Sequence, residues 1–470
     1  MQRGTDAGSV EHDRAVGVLL ESYAAAAQQS PIRLAKSTSN LFRPRTAATS
    51  PGLDVSGLGG VLNVDPEART ADVQGMCTYE HLVDAALPYG LMLLVVPQLR
   101  TITLGGAVAG LGIESTSFKN GLPHESVLEM DILTGAGEII TARPDGEHAE
   151  LFAAFPNSYG SLGYATRLTI ELQPVRRFVA LRNVRFSDLD ALAAAIDSVM
   201  AEGSWEGQQV DAVDGVMFAP EESYLVLGTF TDQLTVPGST RPSDYTGQDI
   251  YYRSLRERTD DALTIYDYIW RWDTDWFWCS RALGVQNPRI RRLWPKRYRR
   301  SDFYRKLIGL EYRYGVASRL DRLRGKPPRE RVVQDVEIPL EGLAEFLRWF
   351  VPHVGMSPVW LCPLQLREPA GAGSARQWPL YPMQPGARYV NVGFWGTVAI
   401  ADGAADGDVN RAIEQAVSAA GGHKGLYSDA YYDRETFDRL YGGEAYRSAK
   451  ARYDPDHRLT ELYEKAVGRR

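Results

Sequence analysis

Residues 97–115 read Pro-Gln-Leu-Arg-Thr-Ile-Thr-Leu-Gly-Gly-Ala-Val-Ala-Gly-Leu-Gly-Ile-Glu-Ser, and Gly105, Gly106, Gly110 and Gly112 strip side chains from much of this stretch. A backbone this bare approaches something closely, whether a neighbouring segment of the chain, a phosphate or a flat ring. The spacing fits neither Gly-x-Gly-x-x-Gly nor Gly-x-x-x-x-Gly-Lys-[Ser/Thr], so the two common nucleotide-binding turns are poor matches. For a lone Gly-Gly the plain alternative is a tight turn with helix packing.

Short apolar runs bounded by Gly, Pro, Asn and Asp surround this stretch at 60–64, 70–73, 91–96, 126–133, 139–142 and 165–172, and they read as strands. Helical spacing marks 11–29, with Val16, Leu19, Leu20 and Tyr23 in one stripe, and 79–89, with Leu82, Val83, Ala86 and Leu87 on one face. From Arg176 the texture shifts to long segments rich in Trp, Tyr and Arg, including Trp270, Trp272, Trp276 and Trp278. A strand at 389–394, a helix at 408–420 and further helical spacing through 421–467 complete the chain. The expected class is α+β, divided into 1–175, 176–407 and 408–470, within the two or three domains that 470 residues suggest.

Charge and cysteine content narrow the function classes. Lys and Arg number 52 against 59 Asp and Glu, a net −7 that argues against a nucleic-acid binder. Cys77, Cys279 and Cys362 are too dispersed for a disulfide framework, and the spacing offers no metal site. No run approaches the ~18 apolar residues of a membrane span, so the expected location is cytoplasmic or peripheral on a membrane. One stretch departs from the acidic average: Arg289–Lys326 holds 14 basic residues against Asp302, Glu311 and Asp321, interleaved with Trp294, Tyr298, Phe303, Tyr304, Tyr312 and Tyr314. Two readings compete for it, a solvated helix face paired with acids elsewhere and an anionic membrane surface contact.

Thr103-Leu104-Gly105-Gly106, Gly110-Leu111-Gly112-Ile113-Glu114-Ser115 and Ser117-Phe118-Lys119-Asn120-Gly121-Leu122 resemble the FAD-binding domain of the p-cresol methylhydroxylase and vanillyl-alcohol oxidase flavoprotein superfamily. Val332-Val333-Gln334-Asp335, Pro358-Val359-Trp360-Leu361-Cys362-Pro363 and Leu426-Tyr427-Ser428-Asp429-Ala430-Tyr431 follow in the order found in its sterol Δ24-reductase branch. The resemblance implies a two-subdomain FAD-binding domain, an α+β substrate (cap) domain and a C-terminal segment returning to the flavin. It implies that FAD meets the loop Ser37, Thr38, Ser39 and Asn40, then Thr103, Leu104, Gly105, Gly106, Ala107, Ala109, Gly110, Gly112, Ile113, Glu114 and Ser115, and the turn with Ser161 and Gly163. Neither 36–41 nor 105–117 contains the His or Cys through which many relatives attach flavin, so the expected FAD is noncovalent.

The branch further implies reduction of an isolated carbon–carbon double bond in a hydrophobic lipid, with NADPH or NADH as transient electron donor. Two substrates are open, a sterol side chain and a methylene-branched fatty acyl chain. The alternative reaction is oxidation of an alcohol or aldonolactone. An isolated alkene has no carbonyl to accept charge, so a proton donor must act beside the flavin. Glu114, Asp335, Tyr427, Tyr431 and His423 are the candidates. Asp335 is expected just ahead of a strand, and Tyr427 and Tyr431 on one helix.

Overall fold

The computed structural model describes residues 3–26, 31–36, 41–43, 51–234, 241–314, 325, 327–369 and 375–467, and its architecture is α+β. β1 (Val61–Asp65), β2 (Thr70–Gln74), β3 (Leu91–Leu93), β4 (Val127–Leu133), β5 (Ile139–Ala142) and β6 (Tyr164–Pro174) form one antiparallel sheet in the order β1-β2-β6-β4-β5, with β3 added at the far end of β6. Alternation in β6 explains its central place: Leu168, Ile170 and Leu172 are buried, while Arg167, Thr169 and Glu171 point to the other face. On that polar face Arg167 ties three strands together, with Nε 2.7 Å from Asp131 Oδ2, Nη1 2.9 Å from Asp72 Oδ1 and a further ion pair to Glu129. The helix Tyr79–Ala86 buries Tyr79, Leu82, Val83 and Ala86 in the same core as the apolar face.

A second antiparallel sheet follows, built from β7 (Phe178–Phe186), β10 (Ala212–Ala219), β11 (Glu222–Thr231), β12 (Asp260–Thr264), β13 (Arg329–Pro339), β14 (Val359–Leu364), β15 (Tyr389–Ala399) and β16 (His423–Lys424). Its order is β12-β7-β11-β10-β14-β15-β13-β16, and β8 (Ser204–Trp205) with β9 (Gln208–Gln209) makes a separate ribbon. One face is covered by the helices Leu189–Glu202, Leu343–Val354 and Asp408–Ala419, whose Leu192, Ile196, Leu347, Phe350 and Val417 share a core with Val332, Val336, Val392 and Phe394. The alternate positions belong to the opposite face, and there the strands carry Asp214, Cys362, Asn391, Gly393, Asp335 and Glu337. Polar groups on a covered sheet face need partners, and these partners organise the rest of the molecule.

The tryptophan-rich segment supplies the first set. It breaks into the helix Ile265–Ile269 and 3-10 turns at Asp273–Asp275 and Cys279–Leu283, with Trp276 and Phe277 in left-handed backbone at φ 46° and 57°. Asp214 Oδ2 accepts from Arg271 Nη2 at 2.9 Å, Trp272 Nε1 at 2.9 Å and Trp360 Nε1 at 3.2 Å. Arg271 lies over the Tyr268 ring at 3.8 Å, and Phe277 stacks on Trp272 at 4.7 Å. Downstream, two residues of the basic stretch are internal struts. Arg291 is buried with Nη1 2.7 Å from Asp275 Oδ1, and the buried Arg299 donates to the carbonyls of Arg291 and Trp294. Arg300 pairs with Glu80 at 2.7 Å. Residues 315–324 and 326 of that stretch lie outside the described residues.

Residues 408–424 still belong to the second sheet, through the helix Asp408–Ala419 and β16 on β13. The chain then returns to the first sheet: Lys450 Nζ donates to Ser161 O at 2.8 Å and Lys465 Nζ to Gly160 O at 2.8 Å. Removing the carboxylate in Asp214→Ala leaves a buried guanidinium and two indole N–H groups without their acceptor. The expected cost is about 3–5 kcal/mol, read as a lowered thermal unfolding midpoint.

Candidate functional site

The glycine segment divides its labour. Thr103 caps the helix Leu104–Val108, accepting from Gly106 N at 3.2 Å, while the amides of Leu104 and Gly105 donate to Cys77 O and Gly75 O at 2.9 Å each. A Cβ at Gly105 would lie 2.7 Å from Gly75 O, one at Gly110 2.8 Å from Gly106 O, and one at Gly112 2.6 Å from Pro97 Cγ. Three of the four glycines therefore serve the chain's packing on itself, where the sequence suggested a ligand along the whole stretch. Gly106 differs in that a Cβ there would meet side chains alone, the capping Thr103 Oγ1 at 2.8 Å and Lys36 Nζ at 3.4 Å. It is exposed, and Lys36 Nζ, 2.8 Å from Thr103 Oγ1, stands beside it. Leu104, Ala107, Ala109, Ile113, Glu114 and Ser115 are buried.

The other expected flavin contacts fall in different places. Ser161 Oγ donates to Ser158 O at 2.7 Å, and Gly163, at φ 145°, sits where a Cβ would meet Leu133 O at 2.6 Å, so both build their own turn. Ser37, Thr38, Ser39 and Asn40 lie outside the described residues. Their flanks are fixed: Lys36 reaches Thr103, and Phe42 donates its amide to Tyr427 O at 2.8 Å and stacks on Trp276 at 5.6 Å.

Among the acid candidates only Asp335 and Tyr427 come together. Asp335 stands in mid-strand on β13 rather than ahead of it, directly opposite Gly393 of β15. A Cβ at Gly393 would lie 2.6 Å from Asp335 Oδ1 and 2.6 Å from the Trp395 ring, so this glycine makes the room in which the two side chains converge. Asn391 Nδ2 donates to Asp335 Oδ1 at 2.8 Å, Tyr427 hydrogen-bonds the same carboxyl, and Trp395 Nε1 donates to Tyr427 Oη at 2.9 Å. Burial pushes the Asp335 carboxyl up to about 6 against those two hydrogen bonds, and burial together with the Asp335 charge drives the Tyr427 phenol well above its usual value. Both side chains remain partly accessible.

Glu114 behaves differently. Its carboxylate takes the hydroxyls of Ser115, at 2.9 Å, and Thr116, within its own loop, and it is closed from solvent. Tyr431 lies against Gly407 and under Arg411, 4.9 Å from its ring, away from Asp335's partners. The expected helix carrying both tyrosines is a loop, because its amides are taken elsewhere: Gly425 N by Asp335 O, Ala430 N by Ala466 O and Tyr431 N by the Glu414 carboxylate. His423 is buried beside Glu337, Nε2 to Oε2 3.6 Å, and burial raises the glutamic acid and lowers the imidazole to about 3, which keeps both neutral.

Sequence reading missed Asn391, Gly393, Trp395 and Phe42. The signal was present for three of them, since 391, 393 and 395 alternate with Val390, Val392 and Phe394 along one strand. The buried polar atoms without a partner among the described residues include both Gln98 amide atoms, Asn391 Oδ1 and Ser428 Oγ. Such atoms call for a ligand offering donors and acceptors, which suits the edges of a flavin ring, while Lys36 beside exposed Gly106 suits a phosphate. Among the described residues no group of three or more His, Cys, Asp or Glu could hold a metal ion.

Two measurements check this arrangement. Gly105→Ala should destabilise the fold, because its Cβ meets immovable backbone, whereas Gly106→Ala, whose Cβ meets only the Thr103 hydroxyl at 2.8 Å and Lys36 Nζ at 3.4 Å, should cost less stability and retain less FAD; equal FAD retention by Gly106→Ala and the parent chain would remove Gly106 from the site. Asp335 binds its proton more tightly folded, at about 6, than unfolded, at the ordinary 3.8, so it lowers stability as pH rises through that window and by a constant amount above it. Asp335→Asn should therefore gain about 1–3 kcal/mol over the parent near pH 7.5, and that gain should vanish near pH 4, as read by paired thermal melts.

The family described as FAD binding domain matches residues 20–143. The Delta(24)-sterol reductase of Homo sapiens is 24% identical over 414 residues, covering 86% of this chain and 75% of that protein. The Arabidopsis thaliana Delta(24)-sterol reductase is 25% identical over 456 residues, covering 88% and 76%. The decaprenylphosphoryl-beta-D-ribose oxidase of Mycolicibacterium smegmatis is 30% identical over 164 residues, covering 34% and 35%. With the matched domain spanning the glycine segment and the reductase likeness running on through β13, β14 and β15, the chain is an FAD-binding oxidoreductase of the p-cresol methylhydroxylase and vanillyl-alcohol oxidase superfamily, near the Delta(24)-sterol reductase branch.

Proposed function

We propose that this enzyme reduces an isolated carbon–carbon double bond of a hydrophobic lipid, acting on a CH–CH group with noncovalent FAD and with NADPH or NADH as electron donor. The observation that carries the reading is the partly accessible Asp335–Tyr427 pair on the inner face of the second sheet, beside Phe42, Trp395 and Phe277, with Trp395 and Phe277 in contact at 4.5 Å. Aromatic and apolar walls suit a lipid chain, and a single acid among them suits protonation of carbon. The reductase names of the similar proteins support the same chemistry, and they favour a sterol side chain; the methylene-branched fatty acyl chain is the second candidate.

Bound FAD supplies the hydride equivalent. The other half of the addition falls to this chain's residues. Asp335 holds the proton that the second alkene carbon receives, and solvent restores it afterwards. Tyr427, fixed by the Trp395 indole, orients that carboxyl, and Asn391 holds its other side. Lys36, Thr103 and Gly106 would hold the phosphates.

The test is anaerobic reduction of the purified protein with NADPH or NADH, then addition of a Δ24-unsaturated sterol or a methylene-branched phospholipid and mass analysis for a gain of two hydrogens. Acid precipitation should free the flavin completely. Asp335→Asn should lose about 10²–10⁴-fold in turnover while its flavin is still reduced by the nicotinamide, and the parent's turnover should fall as pH rises past about 6, where the acid loses its proton. Rapid reoxidation in air coupled to alcohol oxidation, with no lipid gaining hydrogen, would favour the oxidase reading instead.

A further inference from the structure

With Arg291 and Arg299 buried as internal struts and Arg300 paired with Glu80, what remains of the basic stretch is a distinct surface. The helix Pro288–Leu293 exposes Leu293 at 85% and Ile290 at 42%, and around them Arg289, Arg292, Lys296 and Arg297 are also exposed. The following helix, Ser301–Tyr314, buries Ser301 and Tyr304, and on its outer side carries Lys306 and Leu310, one turn apart and both exposed. Arg289, Arg292 and Lys306 have no side-chain partner among the described residues, and Lys296 reaches only Asp244, at 3.6 Å between two exposed groups. A leucine exposed to this degree at the head of a basic cluster is costly in water and is stabilised where apolar and anionic groups meet.

We infer that this surface seats the protein on an anionic lipid bilayer, with Ile290 and Leu293 entering the acyl boundary and Arg289, Arg292, Lys296 and Arg297 meeting the headgroups. Charge decides against a second copy of this chain packed on the same face, since a two-fold contact would set one basic cluster against another. The surface also adjoins the site. Arg305 of the second helix donates to Leu41 O at 3.0 Å and lies over the Phe42 ring at 5.3 Å, and Phe42 touches Tyr427. A seat here puts the Asp335 neighbourhood near the bilayer from which a lipid substrate would come.

Co-sedimentation of the full chain with vesicles of phosphatidylglycerol and phosphatidylcholine tests the seat without reference to turnover, so its outcome is separate from that of the proposed reaction. Binding should be strong, should fall on vesicles of phosphatidylcholine alone, and should fall with added salt. The triple change Arg289→Gln, Arg292→Gln and Arg297→Gln should weaken partitioning about fivefold per residue. Ile290→Asp with Leu293→Asp should weaken it at least about tenfold, with melting temperature and FAD absorbance kept because both side chains are exposed. Unchanged co-sedimentation in both variants overturns the proposal. A concentration-dependent dimer that the Ile290→Asp, Leu293→Asp variant abolishes, without vesicle binding by the parent, overturns it in favour of a contact between copies.

Discussion

The carboxylate of Asp214 is the fixed point from which the functional face is built. Sunk in the second sheet with an arginine and two indoles as its donors, it pins the Trp-rich segment to the sheet. That placement sets Phe277 between Trp272 and Trp395, Trp395 then holds the Tyr427 hydroxyl, and Tyr427 meets Asp335. Each step is a short contact between buried or half-buried groups, where hydrogen bonds are strong and vacancies costly. The left-handed backbone at Trp276 and Phe277 is strain that this network over-determines.

Two carboxyls close to the same interior have opposite fates because of what surrounds them. Glu114 is saturated by hydroxyls of its own loop and closed off, which makes it a structural acid. Asp335 keeps access and a raised affinity for its proton, because its partners are one amide and one phenol, with no cation beside it among the described residues. A group whose proton is held near neutrality and can be reached is suited to giving it up.

Much of the first sheet was legible from the chain alone. The runs at 139–142, 165–172 and 126–133 became β5, β6 and β4 with shifts of two residues or fewer, since alternation of buried and exposed side chains is a local property. The N-terminal helix was also visible; it spans Arg3–Ala25, beginning ahead of the expected residue 11, while 27–29 lie outside the described residues. The 425–433 loop was not, because its amides bond to Asp335, Ala466 and Glu414, partners remote in sequence that override the spacing of Tyr427 and Tyr431. The basic stretch was legible only as a count, which does not tell a strut such as Arg291 from a surface residue such as Arg292.

The sequence by itself determined the class of fold, the glycine segment and, through its motifs, the resemblance to a flavin-binding family, because these depend on period, composition and order along the chain. Tertiary structure alone decided which glycine is left facing outward, which acid is left reachable, and which basic residues remain at the surface. Those outcomes depend on what lies across from each residue: Gly75 opposite Gly105, Gly393 opposite Asp335, Asp275 opposite Arg291. A residue's chemistry is written in the chain, but its freedom to use that chemistry is set by neighbours tens of residues away or on another strand.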